Sequence, residues 1–154
     1  MGKSKNKKVK NATPVERDGI QFRSKLEARI YRTFKEAGYN PQYENMTFNI
    51  AEGYYPTLKC YDIHYDRKLK DTVWGLNNYK IQTITYTPDF IMNVNDKLVV
   101  IEAKGRENDV FPIKKKLFRK WMEDYYTLTG KEIVYFEIFN KKQTIEALKI
   151  IDNL

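Results

Sequence analysis

The stretch TPDFIMNVNDKLVVIEAKG, residues 87–105, constrains the fold more than any other part of the chain. It sets Asp89 beside a proline, breaks at a polar piece, and ends an apolar run with Glu102 and Lys104 two apart. The pattern predicts a strand over 90–92, a turn over 93–97 and a second strand over 98–104, together a hairpin. Side chains alternate faces along a strand, so Leu98, Val100, Glu102 and Lys104 point one way and Val99, Ile101 and Ala103 the other. Antiparallel pairing lays the start of one strand beside the end of the next, which brings Asp89 to Glu102. Two like charges that close repel unless a cation or a proton lies between them.

Two chemistries satisfy that arrangement. Hard oxygen ligands on a β-scaffold suit Mg²⁺ or Mn²⁺, with waters completing the shell. Lys104 would then stabilise charge growing on a phosphate or orient an attacking water. The plainer reading is an edge salt bridge between one acid and Lys104. Glu27 carries a similar duality. Three residues after Ser24, it is the return half of a capping box. It also borders the apolar stripe of the same helix beside Ile30 and Phe34, and if that helix packs across the hairpin its carboxylate can reach the other two acids.

Helical periodicity begins at Ser24 as N-cap and Lys25 as first residue, with Leu26, Ile30, Phe34 and Ala37 as the stripe and Gly38 as the stop. Residues 43–50 and 79–86 read as strands, and the tyrosine-rich stretch 51–79, which includes Gly53, Pro56 and a polar turn-like piece at 66–71, as short strands or a hairpin. A second helix is predicted over 113–128, entered after Pro112 and closed near Gly130. On a helical wheel Ile113, Leu117, Phe118, Trp121, Tyr125 and Leu128 cover one side, and Lys115, Lys116, Arg119 and Lys120 the other. A strand over 133–139 and an amphipathic helix over 144–151 complete the order. Helices against a mixed sheet make an α/β or α+β layer.

Three motifs in this order, FRSKLE at 22–27, YTPDF at 86–90 and IEAKG at 101–105, resemble the PD-(D/E)xK nuclease superfamily. Within it the set is most similar to the phage endonuclease I type, the Holliday-junction-resolving enzymes of T-odd phages and their prophage relatives. The resemblance implies an α/β, restriction-endonuclease-like core with a mixed central β-sheet flanked by helices. It implies hydrolysis of DNA phosphodiesters with Mg²⁺, Mn²⁺ able to substitute, leaving a 5′-phosphate and a 3′-hydroxyl. Glu27, Asp89 and Glu102 take the positions of the metal-binding acids, the Ala103 carbonyl that of a backbone ligand, and Lys104 that of the active-site lysine. Arg23 and Ser24 match positions suited to phosphate contact. The segment from Gly38 to Thr87 is longer than its counterpart in the phage resolvases, where that region contributes to an intertwined homodimer on a four-way junction.

At 154 residues the chain is long enough for one domain with a real core, here 14–154 with an insertion at about 51–79. The first 13 residues form a polar basic arm without periodicity, either a solubilising end or a phosphate-binding arm ordered by DNA. A formal charge of +8 favours a polyanionic partner. Arg106 and the lysine-rich face of the second helix read either as a phosphate track beside Lys104 or as an ordinary solvated face. Cys60 stands alone, which excludes a disulfide framework and a multi-cysteine zinc site. No run approaches a membrane span or a signal peptide, so the expected location is cytoplasmic, in a bacterial host for a phage or prophage protein. His64 reads as a strand histidine or a DNA contact. Most tyrosines read as partly buried packing residues or strand formers, with stacking on unpaired bases as the alternative, and Trp74 and Trp121 as core or interface anchors. Competing readings are a nuclease of duplex DNA or transposon ends, and a non-catalytic DNA-binding protein on a nuclease fold.

Overall fold

A computed structural model describes residues 13–105 and 110–154. In chain order the elements are β1 (Val15–Arg17), β2 (Ile20–Phe22), α1 (Lys25–Glu36), β3 (Gln42–Tyr43), β4 (Phe48–Ala51), β5 (Tyr61–Asp66) and β6 (Asp71–Leu76). There follow β7 (Ile84–Tyr86), β8 (Phe90–Val94), β9 (Lys97–Ala103), α2 (Phe111–Thr129), β10 (Ile133–Ile138) and α3 (Lys141–Ile151). They divide into two compact units, Phe48–Tyr86 and the described residues on either side of it. The basic arm lies almost wholly outside the described residues.

The larger unit is built on a mixed four-stranded sheet in the order β10-β9-β8-β3. Strand β10 is parallel to β9, which α2 makes possible as the crossover, and the remaining pairs are antiparallel. The chain is thus an α/β fold whose mixed central sheet is flanked by helices. One sheet face presents Phe90, Met92, Val94, Val99, Ile101 and Ile138, which pack with Ile30 and Phe34 of α1 and Ala147 and Ile151 of α3. Fully burying a side chain of this kind is worth about 1.5–3 kcal/mol. Phe22, from the β1–β2 hairpin, closes the same cluster, 5.1 Å from the Tyr31 ring and 4.8 Å from the Tyr43 ring. Alternation carries Glu102 and Glu137 to the opposite face, the one that α2 covers through Phe118, 5.6 Å from the Tyr135 ring.

Two tight turns hold the hairpins. Asn95 and Asp96 both take positive φ, 45° and 64°, so the β8–β9 connection is two residues and not the five of 93–97. Asp18 and Gly19, at 52° and 76°, do the same between β1 and β2, a hairpin the pattern reading misses. Positive φ at both central residues matches the right-handed twist of the flanking strands.

Several boundaries move. The expected strand 43–50 is two strands, because Glu44 sits at φ 44° and turns the chain between β3 and β4. Ala37 caps α1 and is exposed, while Ala28 and Tyr31 join the buried stripe. Helix α2 begins at Phe111 with Pro112 in its first turn, where a missing N–H costs nothing. Its buried residues are Phe111 and Phe118, whereas Ile113 and Leu128 are exposed. The smaller unit has two separate pairings, β4 with β7 and β5 with β6, and an isolated Tyr54–Ile81 bridge where a strand over 79–86 is expected. Tyr54, Tyr55, Tyr61, Tyr65, Tyr79 and Trp74 are all exposed, so Trp74 is no core anchor. Trp121 is half-buried, 6.0 Å from the Phe118 ring and 5.1 Å from that of Tyr125.

Candidate functional site

The β8–β9 register pairs Phe90 with Ile101, so Asp89 and Glu102 stand at the next step outward. Asp89 is tied there twice. Its Oδ2 accepts from the Ala103 amide at 2.7 Å, and its carbonyl accepts from the Glu44 amide at 2.9 Å. Burial, followed by the negative charge of Glu102, pushes its carboxyl up to about 8, the Ala103 amide opposing and Glu27 adding a smaller push. A half-buried acid is held here against other acids.

Each neighbouring carboxylate has its own partners. Glu102 is buried and forms an ion pair with Lys104, whose Nζ also sits 3.9 Å from the centroid of the Phe111 ring. Lys104 is fixed from the backbone side as well, its amide donating to the Ile138 carbonyl at 2.9 Å. Glu27, also buried, accepts from the Arg23 amide at 2.9 Å, the Tyr43 hydroxyl at 2.7 Å and the Ser24 hydroxyl at 2.7 Å. The Ser24 Oγ in turn accepts from the Glu27 amide at 3.2 Å, closing the capping box. Three donors satisfy the hydrogen-bonding needs of a buried carboxylate. Burial first, and the hydrogen bond to Glu27 second, raise the Tyr43 hydroxyl well above its ordinary value.

Among the described residues, no three acidic, histidine or cysteine side chains are grouped as a metal cage. The partners just named explain this, because Glu27 faces its cap and Glu102 faces Lys104. The donor set still fits Mg²⁺, which keeps several waters and needs only one or two carboxylates. Asp89 and Glu102 would supply that much, and a cation there would offset the burial and repulsion that raise the Asp89 carboxyl.

The remaining sequence candidates scatter. Arg23 is exposed and bonds Glu44 at 2.7 Å. Lys115 lies on the sheet side of α2 and bonds Glu137 at 2.8 Å, because the buried stripe starts at Phe111, four residues before it. Lys116, Arg119 and Lys120 are exposed, and Lys120 pairs with Asp124. Arg106 falls outside the described residues. His64 is an exposed strand residue. Tyr43, Phe111, Glu44 and Glu137 complete the surroundings of the acids. None stands out locally in the sequence, though the alternation of IVYFEI does put Glu137 on the face of Glu102.

No helix among the described residues is long and apolar enough to cross a membrane. Neither a curated protein nor a solved structure matches the chain. The α/β fold is compatible in general terms with nuclease-like architectures. One family model matches residues 6–137, that of the family described as protein of unknown function (DUF1064), and the chain belongs to that family.

Proposed function

We propose that the chain is a Mg²⁺-dependent endodeoxyribonuclease of the PD-(D/E)xK type, acting on branched DNA such as Holliday junctions as a homodimer. The observation that carries this reading is the half-buried Asp89, pressed by Glu102 at the open end of the β8–β9 hairpin with Lys104 against it. Asp89 and Glu102 would hold the ion, with the Ala103 carbonyl and Glu27 completing the protein's share. When bound, Mg²⁺ acidifies a coordinated water and offsets charge on the scissile phosphate. Lys104, steadied on the Phe111 ring, places an ammonium where that charge develops. Glu27 holds the start of α1 through the Arg23 amide, which keeps Arg23 and Ser24 at the rim for phosphate contact. The Mg²⁺ is replaceable by Mn²⁺, and the setting is phage or prophage recombination in a bacterial cytoplasm.

One observation favours a second reading, a DNA-binding protein without turnover: Glu102 and Lys104 neutralise each other as they stand. A panel of labelled four-way junction, fork, duplex and single strand, incubated with Mg²⁺ and then with EDTA, separates the two. Metal-dependent cleavage with the junction cut first supports the proposal. Cleavage of duplex alone leaves the chemistry and removes the substrate, and binding with no product on any substrate selects the second reading.

A further inference from the structure

The β5–β6 hairpin has two unlike faces. Its register sets Tyr61 opposite Leu76, Ile63 opposite Trp74 and Tyr65 opposite Thr72, so these side chains share one face. The other face carries Asp62, Asp66 and Asp71, with His64 lying across Gly75, where a Cβ would stand 2.3 Å from the imidazole. The aromatic face is open, with Tyr61, Tyr65 and Trp74 being 53%, 62% and 68% exposed. Residues 67–70 connect the strands and include Arg67, Lys68 and Lys70. Asp66 orders this cationic turn, its Oδ1 accepting from the amides of Lys68 at 2.7 Å and Leu69 at 3.1 Å. A two-stranded hairpin is marginal by itself in water, and an aromatic face this exposed marks a binding surface.

We propose that this face binds single-stranded DNA, with Tyr61, Tyr65 and Trp74 stacking on bases and Arg67, Lys68 and Lys70 contacting phosphates. Charge chooses the occupant. A second copy would bring the same cationic turn, whereas a single strand brings π-faces and phosphates together. Binding here deepens the nuclease reading by naming unpaired strands as part of the substrate. It rests on that reading only for DNA as ligand, since neither Asp89 nor an ion takes part.

The test uses the full chain, a labelled oligo-dT and EDTA, read by anisotropy. Tyr65→Ala with Trp74→Ala should weaken binding by about 5- to 150-fold for each stacked ring, and Tyr65→Phe with Trp74→Phe should keep most of the affinity. Arg67→Gln, Lys68→Gln and Lys70→Gln should each lower the log–log salt slope by about 0.7. Oligo-dT should also quench the tryptophan emission of the unaltered chain, and Trp74→Phe should remove that quench, a readout that does not depend on the alanine variant folding. Unchanged affinity in the alanine variant, or a quench that persists in Trp74→Phe, overturns the proposal. So does loss of self-association in the alanine variant with oligo affinity intact, which would give the face to a second copy. Oligo binding that responds to these variants, without cleavage of any substrate in Mg²⁺, supports this proposal and sinks the nuclease reading alone.

Discussion

Glu102 and Glu137 lie directly opposite each other on the parallel strands β9 and β10, and each carboxylate forms an ion pair with a different lysine. Like charges in that position destabilise a sheet unless they are countered, so Lys104 and Lys115 permit the pair. Replacing Lys115 by methionine leaves Glu137 unpaired beside Glu102. The loss should be about 1–3 kcal/mol, between a surface pair and a fully buried one. Adding Glu137→Met should recover most of it. Urea melts of the single and double variants check this, and an unchanged midpoint in the single variant would refute it.

Asp89 predicts a pH dependence of the metal-free protein. In the folded chain its carboxyl keeps a proton until about pH 8, against an ordinary value of 3.8. Across that interval the native state binds more protons than the unfolded one, so stability falls as pH rises. The contribution is complete below pH 3.8 and gone above about 8. Thermal melts in EDTA at several pH values should therefore slope downward toward pH 8, and Asp89→Asn should flatten the slope. Mg²⁺ should raise the melting temperature at pH 8 in the unaltered chain more than in Asp89→Asn. A flat profile in the unaltered chain would contradict the burial argument.

The β8–β9 hairpin is legible because it is local: period-two alternation and a polar break fix both strands, and with them the nearness of Asp89 to Glu102. The β1–β2 hairpin carries an equally local signal, Asp18–Gly19 between the short runs Val15–Arg17 and Ile20–Phe22, which a reading that starts at the first helix passes over. Other features depend on distant partners. Nothing near Tyr43 announces that its hydroxyl reaches Glu27, and Lys115 belongs to the solvent face of a wheel only while Phe111 is left out of the helix. The tyrosines of β5 have high strand propensity whether buried or exposed, so their pattern predicts a hairpin and says nothing about what covers it.

Lys104 should matter for turnover and little for binding. One lysine supplies a small part of a multi-phosphate footprint, while a preorganised charge at the reacting phosphate is worth about 3 kcal/mol, or roughly 100-fold in rate. Lys104→Ala should lose that factor in single-turnover cleavage with its affinity in Ca²⁺ nearly intact. Near-normal cleavage by the variant would remove Lys104 from the site.

On α2, Lys116, Arg119 and Lys120 are exposed, with Lys120 paired to Asp124 and the half-buried Lys115 paired to Glu137. Phosphate contact by the first two predicts that Lys116→Ala and Arg119→Ala each lower the duplex salt slope by about 0.9, alike on junction and linear DNA. Lys115→Ala should change that slope little. Salt titrations of all three variants distinguish a phosphate track from a solvated helix face, for which none of the slopes would move.

The homodimer follows from the reaction it is proposed to perform. Each chain carries one Asp89–Glu102 pair and so would cut one strand at a time, but resolving a four-way junction takes two symmetric nicks. A two-fold pair of chains supplies them most simply, with both sites fixed in one geometry. Sedimentation at micromolar concentration should then report a dimer, and competition at physiological salt should favour the junction over a duplex of the same length. Mixing the unaltered chain with an excess of Asp89→Asn chains should yield junctions nicked once and seldom resolved, because mixed dimers hold one working site. A monomer that binds junction and duplex equally would leave a nuclease of ordinary duplex DNA.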